Sequence, residues 1–212
     1  MNVTIIGAGS MGRGIGTRLV AGGHRVTLID VVPENARELA DSLNQGSAGG
    51  EQATTGQLES IQDDVIVLAV GYGTNLELVR QLGPALTGKI VVDIANPVDF
   101  ATGTLATAPG SSSAEEVAAA APNARVVKAF NTTFAGTLVA GQVAGQPLDV
   151  FIAGDDPAAK ETLAGLVRDG GLIPIDVGPL ARARQLEGLG YLGISIQQPL
   201  GLNFASAWKL LH

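Results

Sequence analysis

The chain has 212 residues, of which 46% are hydrophobic and 4% aromatic, and its formal net charge is −7. This length and composition predict one main domain with a core of Val, Ile, Leu and Ala. The acidic balance argues against nucleic acid as a partner, and the absence of cysteine excludes disulfides, thiolate metal sites and thiol catalysis.

No apolar run approaches the roughly 20 residues that span a bilayer, and the first predicted strand begins at Asn2. We therefore expect no membrane association, no signal peptide and a cytoplasmic location. His24 lies in a connection between elements and His212 is the final residue of the chain. Histidine acid–base catalysis and a histidine-rich metal site are consequently not expected.

The first 30 residues combine a strand, a glycine-rich turn, a helix and a second strand that ends on an acid. An apolar strand over 3–6 runs directly into the turn, and a helix over 11–21 leads to the strand over 26–29. This order is typical of a dinucleotide-binding β-α-β unit, whereas a glycine triplet alone would be weak evidence. The cofactor-binding residues predicted here are Gly7, Ala8, Gly9, Ser10, Met11, Gly12, Asp30 and Val31.

The glycines and the acid of this unit have separate physical roles. Gly7 permits the tight turn out of the strand, Gly9 has no Cβ to block a pyrophosphate, and Gly12 lets the helix pack closely. Asp30 can accept hydrogen bonds from the adenosine ribose but would repel a 2′-phosphate. Arg37 lies one turn into the next helix and could reach that phosphate, but unaided its attraction would compete with the repulsion by Asp30. These residues favour NAD over NADP.

Strand and helix signals continue to alternate along the rest of the chain. Further strands are predicted at 65–70, 90–94, 126–130, 150–152 and 172–175, with helices at 76–82, 114–121 and 157–168 and a loop at 101–113. Such alternation predicts an α/β fold with a Rossmann-type doubly wound, mostly parallel sheet. We predict a dinucleotide-binding domain over 1–178 and a C-terminal helical segment over 179–212 that packs on it. The apolar residues of that segment, with Trp208, are also a candidate homodimer surface.

Ligands on open parallel sheets bind beyond the carboxyl ends of the strands, so the turns that follow the predicted strands are candidate sites. Two of these turns, one with glycines and one with Asn-Pro, are expected to contact the dinucleotide. A third carries a polar Asn-Thr-Thr cluster, which either positions a nicotinamide or partner ring or caps the next helix. The dinucleotide contacts predicted here are Val70, Gly71, Ala95, Asn96 and Pro97.

No convincing acid–base group accompanies these turns. The four lysines follow no helical pattern beside a carboxamide, and neither tyrosine has the Tyr-x-x-x-Lys spacing of carbonyl reductases. Oxidation of an alcohol requires a proton acceptor, whereas hydride transfer between two ring cofactors mainly requires stacking, alignment and exclusion of water. The sequence favours the second chemistry, and no catalytic side chain is predicted.

Several segments of the chain carry the pattern of one family. They are residues 5–12 (IIGAGSMG), 67–70 (VLAV), 96–97 (NP), 127–132 (VKAFNT), 153–156 (AGDD) and 176–180 (DVGPL), followed by Arg184 and Glu187. Through them nearly the whole chain resembles the coenzyme F420-dependent NADP oxidoreductases and the reductase domains of the STEAP metalloreductases. The resemblance implies that a nicotinamide lies against a deazaflavin or flavin ring and that hydride passes directly between them. It further implies a pocket for the second cofactor or substrate lined by Asn131, Thr132 and Thr133 and closed by Leu200, Gly201 and Leu202.

The chain departs from this family after the second strand. Deazaflavin-linked members typically carry Ser and Arg there to hold the NADP phosphate, where this chain has Asp30, Val31 and Val32. The Phe-Asn-Thr form of the polar cluster resembles the flavin-using STEAP-type reductases, so coenzyme F420 and a flavin both stay open as the second partner. Asp155 and Asp156 match the family turn and are expected only to cap the following helix.

Two other functions compete with this one. A small carbonyl or hydroxy-acid NAD-dependent dehydrogenase would share the glycine turn. The related hydroxyisobutyrate-type and pyrroline-carboxylate-type enzymes, however, add a helical domain, for which only about 30 residues follow the predicted sheet. A non-enzymatic NAD-binding sensor would explain the missing acid–base groups. Cofactor-to-cofactor hydride transfer ranks first.

Overall fold

The computed structural model describes residues 1–45, 50 and 52–211. Within these residues the chain alternates between strands and helices. In chain order they are β1 (Asn2–Ile6), α1 (Ser10–Ala21), β2 (Arg25–Ile29), α2 (Pro33–Gln45), β3 (Ala53–Thr55), β4 (Val65–Leu68), α3 (Tyr72–Leu82), β5 (Ile90–Asp93), β6 (Val98–Asp99), β7 (Thr104–Leu105), α4 (Ser113–Ala120), β8 (Arg125–Lys128), α5 (Ala135–Ala140), β9 (Gln142–Val143), β10 (Gln146–Pro147), β11 (Asp149–Gly154), α6 (Pro157–Asp169), β12 (Ile173–Gly178) and α7 (Ala183–Ser195). Among the helices of these residues, none has both the length and the apolarity to cross a membrane.

Eight of the strands form one sheet in the order β12-β11-β8-β5-β4-β1-β2-β3. All neighbouring pairs are parallel except β8 and β11, which run antiparallel. The predicted fold class, a Rossmann-type doubly wound and mostly parallel sheet, is therefore confirmed. Strand order reverses at β1, which pairs with both β2 and β4. The carboxyl ends of β1 and β4 consequently flank the switch point at which ligands bind in such sheets.

The central strands are apolar along their whole length because helices cover both faces of the sheet. In β4, Val65 and Val67 enter one hydrophobic cluster, whereas Ile66 and Leu68 enter another. Successive strand side chains point to opposite faces, so the sheet carries a core on each side. This double burial fixes the strand ends from which the candidate site is built.

Three parts of the chain differ from the sequence prediction. The region that includes the expected loop at 101–113 begins with the short β6–β7 hairpin, and the helix α5 and the β9–β10 hairpin had not been predicted. The C-terminal segment is helical only as far as Ser195. Asn203 and Phe204 have φ angles of 51° and 55°, which a right-handed helix excludes. Trp208 therefore lies on irregular chain and not on a helix.

Candidate cofactor-binding site

The turn between β1 and α1 depends on glycine at two positions. Gly7 has a φ of +109°, and a Cβ there would overlap the carbonyl oxygen of Ala69. A Cβ on Gly12 would overlap the carbonyl oxygen of Gly7, so α1 approaches the turn this closely only with glycine at that position. At Gly9, by contrast, a Cβ would meet none of the described atoms within 4 Å. The space in front of the α1 N-terminus is therefore open.

This opening fits a pyrophosphate. The N-cap residue of α1 is Gly9, which makes no side-chain capping bond, and the first turn carries no acidic residue. The backbone N–H groups at such a helix start, together with the helix dipole, favour an anion. The tight turn at Gly7 and the close packing at Gly12 are as predicted, and the approach of a pyrophosphate to Gly9 stays a prediction.

Asp30 is fixed beside the turn through both of its carboxylate oxygens. Ala8 N–H donates to Oδ2 at 2.8 Å, and Val32 N–H donates to Oδ1 at 2.9 Å. The carboxylate borders a cavity of about 940 Å³, here called the Asp30 cavity, which extends from β2 to residues 55–60. Arg37 also lines this cavity and is ion-paired with Glu34. A ribose bound here would meet a carboxylate and a guanidinium together.

A second cavity of about 550 Å³, the central cavity, lies at the switch point and shares Val70 with the Asp30 cavity. The start of α1, the ends of β4 and β5 and the segment after β8 form its walls. The predicted site residues that line it are Gly9, Ser10, Met11, Val70, Gly71, Ala95, Asn96, Asn131 and Thr133. Gly7, Asp30 and Val31 line the Asp30 cavity. The predicted residues Ala8, Gly12, Pro97 and Thr132 line neither cavity.

The polar cluster after β8 ties two strand ends together. Asn131 Nδ2 donates to Asn96 Oδ1 at 2.9 Å, and Asn96 Nδ2 donates to the Asn131 carbonyl at 2.7 Å. Thr133 Oγ1 donates to the carbonyl of Phe130, whose φ is +61°. Asn131 Oδ1 and Thr132 Oγ1 are buried and have no hydrogen-bond partner among the described residues. The cluster thus fixes the cavity wall and also contains polar atoms that are left unpaired.

A third cavity, also of about 550 Å³ and here called the outer cavity, adjoins the central cavity. The two share Phe100, Ile194 and Phe204. The outer cavity also contains Gly201, whereas Leu202 lines a smaller cavity of about 80 Å³ beside Trp208 and Leu200 is exposed. Of the three residues expected to close the second pocket, Gly201 alone lines the outer cavity, and none of the three lines the central cavity with Asn131 and Thr133.

A buried charge cluster beside the central cavity was missed in the sequence. Lys128 Nζ donates to Asp93 at 2.8 Å and to Glu187 at 2.7 Å, and it also donates to the carbonyl of Ala95, a residue of the cavity wall. Asn75 Nδ2 donates to the second oxygen of Asp93 at 2.7 Å. Lys128, Asp93, Glu187 and Asn75 are all completely buried. The cluster joins β5, β8, α3 and α7.

The charges of this cluster do not balance, because two carboxylates face one ammonium group. Burial raises the pKa of Glu187, and Lys128 opposes that rise. The signal available in the sequence was a charged residue at the end of each of two apolar strands, Asp93 and Lys128, which β5 and β8 place in register. The pairing of β5 with β8 could not be read from the sequence, so their proximity could not be either.

Tyr72 is a second residue that the sequence analysis passed over. It begins α3 and lines the central cavity, where its hydroxyl donates to Glu116 on α4. Burial, followed by the hydrogen bond to Glu116, raises the pKa of Tyr72 to about 12, so the hydroxyl remains protonated at neutral pH. The spacing test missed this pair because Glu116 lies 44 residues away.

The sequence also led to predictions for two aspartates and for both histidines. Asp156 caps α6 by accepting the Ala159 N–H at 2.8 Å, as expected, whereas Asp155 accepts the Leu180 N–H instead. His24 is buried, with Nδ1 at 3.1 Å from the Met1 amino group and Nε2 at 3.2 Å from Asp169, which is a structural arrangement. His212 lies outside the described residues.

The doubly wound sheet, the glycine turn and the open cavity at the switch point define a Rossmann-type dinucleotide-binding protein. The family model of the coenzyme F420-dependent NADP oxidoreductases matches residues 2–97. The chain belongs to this family and is an NAD(P)-dependent oxidoreductase. The family predicted from the sequence is confirmed.

Individual relatives agree with this assignment. The chain is 29% identical to the F420-dependent NADP reductase of Methanocaldococcus jannaschii, with 92% of each chain covered. A crystal structure from Arthrobacter sp. FB24, provisionally assigned as an F420-dependent NADP reductase, is 30% identical and superposes with a TM-score of 0.83 over 99% of both chains. The chain is also 33% identical to rat metalloreductase STEAP3 over 88% of its own length, but it spans 36% of that protein. The preference for NAD over NADP finds no support in these comparisons, because the family and two of these relatives are named for NADP.

Proposed function

We propose that this protein transfers a hydride directly between a nicotinamide dinucleotide and a deazaflavin or flavin ring. The observation that carries the proposal is the adjacency of the central and outer cavities, which share Phe100, Ile194 and Phe204. Two flat rings bound in adjoining cavities can meet face to face, as direct hydride transfer requires. The names of the M. jannaschii and Arthrobacter relatives support the same pair of ligands.

In this proposal the protein binds the two cofactors, orients their rings and keeps water away from them. The start of α1 holds the pyrophosphate, and the Asp30 cavity holds the adenosine end. Asn131 lines the central cavity, and its unpaired Oδ1 is suited to accept a hydrogen bond from a nicotinamide amide. Among the described residues that line the central cavity, Tyr72 has the one titratable side chain, and its raised pKa disfavours proton release. The lining thus fits hydride exchange better than alcohol oxidation.

For the nicotinamide partner we propose NADP(H), bound with little discrimination against NAD(H). The names of the relatives favour NADP, and Arg37 lines the cavity in which a 2′-phosphate would lie. Asp30 opposes that phosphate, since its carboxylate borders the same cavity. Catalytic efficiencies with NADPH and NADH are then expected to lie within about tenfold, or about 1.4 kcal/mol, of each other.

The test is oxidation of NADPH and NADH by the purified protein with coenzyme F420, FMN, FAD, riboflavin and a panel of small carbonyl compounds in turn. Turnover with a flavin or deazaflavin supports the proposal. Reduction of carbonyl compounds alone would indicate the competing dehydrogenase. Tight nucleotide binding with no acceptor reduced would indicate an NAD-binding sensor.

Two substitutions test the choice of nucleotide. Arg37→Ala should weaken NADPH binding about two- to fivefold and leave NADH unchanged, because the exposed guanidinium acts through a well-screened contact. Asp30→Asn should shift the preference toward NADPH, because it removes the negative charge next to the 2′-phosphate. Equal effects of either variant on both nucleotides would contradict the proposed balance.

A further inference from the structure

The outer cavity is built from two stretches of chain that contain no lysine or arginine. No cationic residue occurs between Lys89 and Arg125 or between Arg184 and Lys209. The described residues that line this cavity are Val98, Phe100, Gly103, Tyr191, Ile194, Ser195, Gln197, Gln198, Gly201, Asn203 and Phe204. None of these side chains is charged at neutral pH, so an anionic ligand would find no counter-charge on the lining.

The charges closest to the cavity along the chain are negative. Asp99 lies between two lining residues, Val98 and Phe100. Hydrogen bonds from the Thr102 side chain and the Ala101 backbone lower the pKa of Asp99, so it remains a carboxylate. Ile194 and Ser195 form the last turn of α7, the end at which a helix dipole is negative. The net charge of the whole chain, −7, is also negative.

The lining offers aromatic surface in place of charge. Phe100 is 79% exposed and Phe204 is 52% exposed, so both present ring area that a ligand would cover. Phe204 packs edge-on against Phe134 at a centroid distance of 5.2 Å. Tyr191 donates its hydroxyl to the carbonyl of Gly103 at 2.6 Å, which anchors the β6–β7 hairpin to α7. The cavity therefore suits a flat ring bound by stacking.

We propose that the outer cavity selects an uncharged fused-ring acceptor, a flavin without phosphate or a quinone, over anionic FMN and coenzyme F420. This inference rests on the proposed function and narrows its acceptor class. The reduced nicotinamide supplies a hydride, which carries two electrons, and the acceptor takes up that hydride and one proton from water. A phosphate or carboxylate tail would find no cation on the lining of this cavity, which lowers the affinity of an anionic acceptor.

Riboflavin and FMN form a matched pair of probes because they share one ring and differ only in the 5′-phosphate. Their dissociation constants can be measured by quenching of flavin fluorescence in the presence of oxidised dinucleotide. Riboflavin should bind about two- to fivefold more tightly than FMN at low ionic strength, the scale of a screened surface interaction. Added salt should narrow this gap. Relative kcat/KM values for NADPH oxidation should follow the same order.

Gln198 allows a charge to be placed on the lining. Its side chain is exposed, so both Gln198→Lys and Gln198→Glu should fold normally. The lysine variant should tighten FMN binding more than riboflavin binding, whereas the glutamate variant should not tighten FMN binding. This pair separates charge from any change in shape.

The outcomes distinguish the inference from the function on which it rests. FMN or F420 that binds and reacts as well as riboflavin or better, with affinity that falls as salt rises, would overturn the inference and leave hydride transfer to a ring acceptor intact. Failure of every flavin, deazaflavin and quinone to bind or react would overturn both.

Discussion

Replacing Lys128 with methionine should strongly destabilise the protein. Methionine has a similar length and no charge, so the substitution removes the ammonium group without opening a large cavity. Asp93 and Glu187 would then face each other, completely buried, with no cation between them. Hydrogen bonds from Asn75 to Asp93 and from the Ser113 backbone to Glu187 would remain, but they do not neutralise charge.

Removing one partner of a buried ion pair typically costs about 3–5 kcal/mol, because the remaining charge is left uncompensated. All three side chains here have no exposed surface, so the full range applies. A domain of this kind is stable by about 5–15 kcal/mol, so the variant would lose at least about a fifth of its stability. The triple variant Lys128→Met, Asp93→Asn, Glu187→Gln removes all of the charge and should recover much of the loss.

Urea unfolding at several pH values is the appropriate assay, with the midpoint interpreted only where the slope m is unchanged. Burial raises the folded-state pKa of Glu187 above its unfolded value. Such a group contributes stability that is fully present below the unfolded pKa, near 4.3, and is lost as pH rises through the folded pKa. Lys128 lowers that pKa, so its removal raises the folded-state pKa of Glu187 further. The pH range over which this stability is lost then extends to higher pH. As the pH is lowered toward the unfolded pKa, the free energy of unfolding should therefore rise more in the variant than in the wild type.

Two results would refute this reasoning. A Lys128→Met protein within about 1 kcal/mol of the wild type at pH 7 would mean that the cluster contributes little to folding. A loss of several kcal/mol that does not depend on pH would place the cost in packing, because uncompensated carboxylates must respond to acid.

The remaining predictions concern the site itself. Gly12→Ala should lower dinucleotide affinity at least about tenfold, since its Cβ would overlap the Gly7 carbonyl oxygen and push α1 away from the turn. Gly165→Ala, also inside a helix but with open space at its Cβ, is the matched control and should leave affinity unchanged in calorimetric titration. Tyr72→Phe should keep kcat within about threefold, because the hydroxyl is held by Glu116 and is too weak an acid to release its proton; a much larger fall with an altered pH profile would assign it a catalytic role.

The parts of the fold that were predicted correctly depend on short-range patterns. The β1 strand, the glycine turn and Asp30 lie within 30 residues, and each constrains the backbone locally. The antiparallel pairing of β11 with β8 was missed because a buried strand has the same apolar composition in either direction. The β6–β7 hairpin was missed because its strands are two residues each, too short to show a period.

The site was predicted in the same uneven way. Backbone-lined parts such as Gly9 and Gly71 were found, since glycine in a strand-end turn is visible in the sequence. Side-chain pairs that meet across elements were not, because the sequence does not show which strands are neighbours. Lys128 and Glu187 are 59 residues apart, and their contact depends on where α7 packs relative to β8.

The buried cluster also links the stability of the fold to the geometry of the proposed reaction. Lys128 holds the Ala95 carbonyl in the wall of the central cavity, and Glu187 lies on the helix that carries Ile194 into both ring cavities. A change in the cluster would therefore alter the distance between the central and outer cavities and also change the free energy of unfolding. Because transfer of a hydride tolerates little misplacement of the rings, the location of this cluster ties the position of α7 to the requirements of the chemistry.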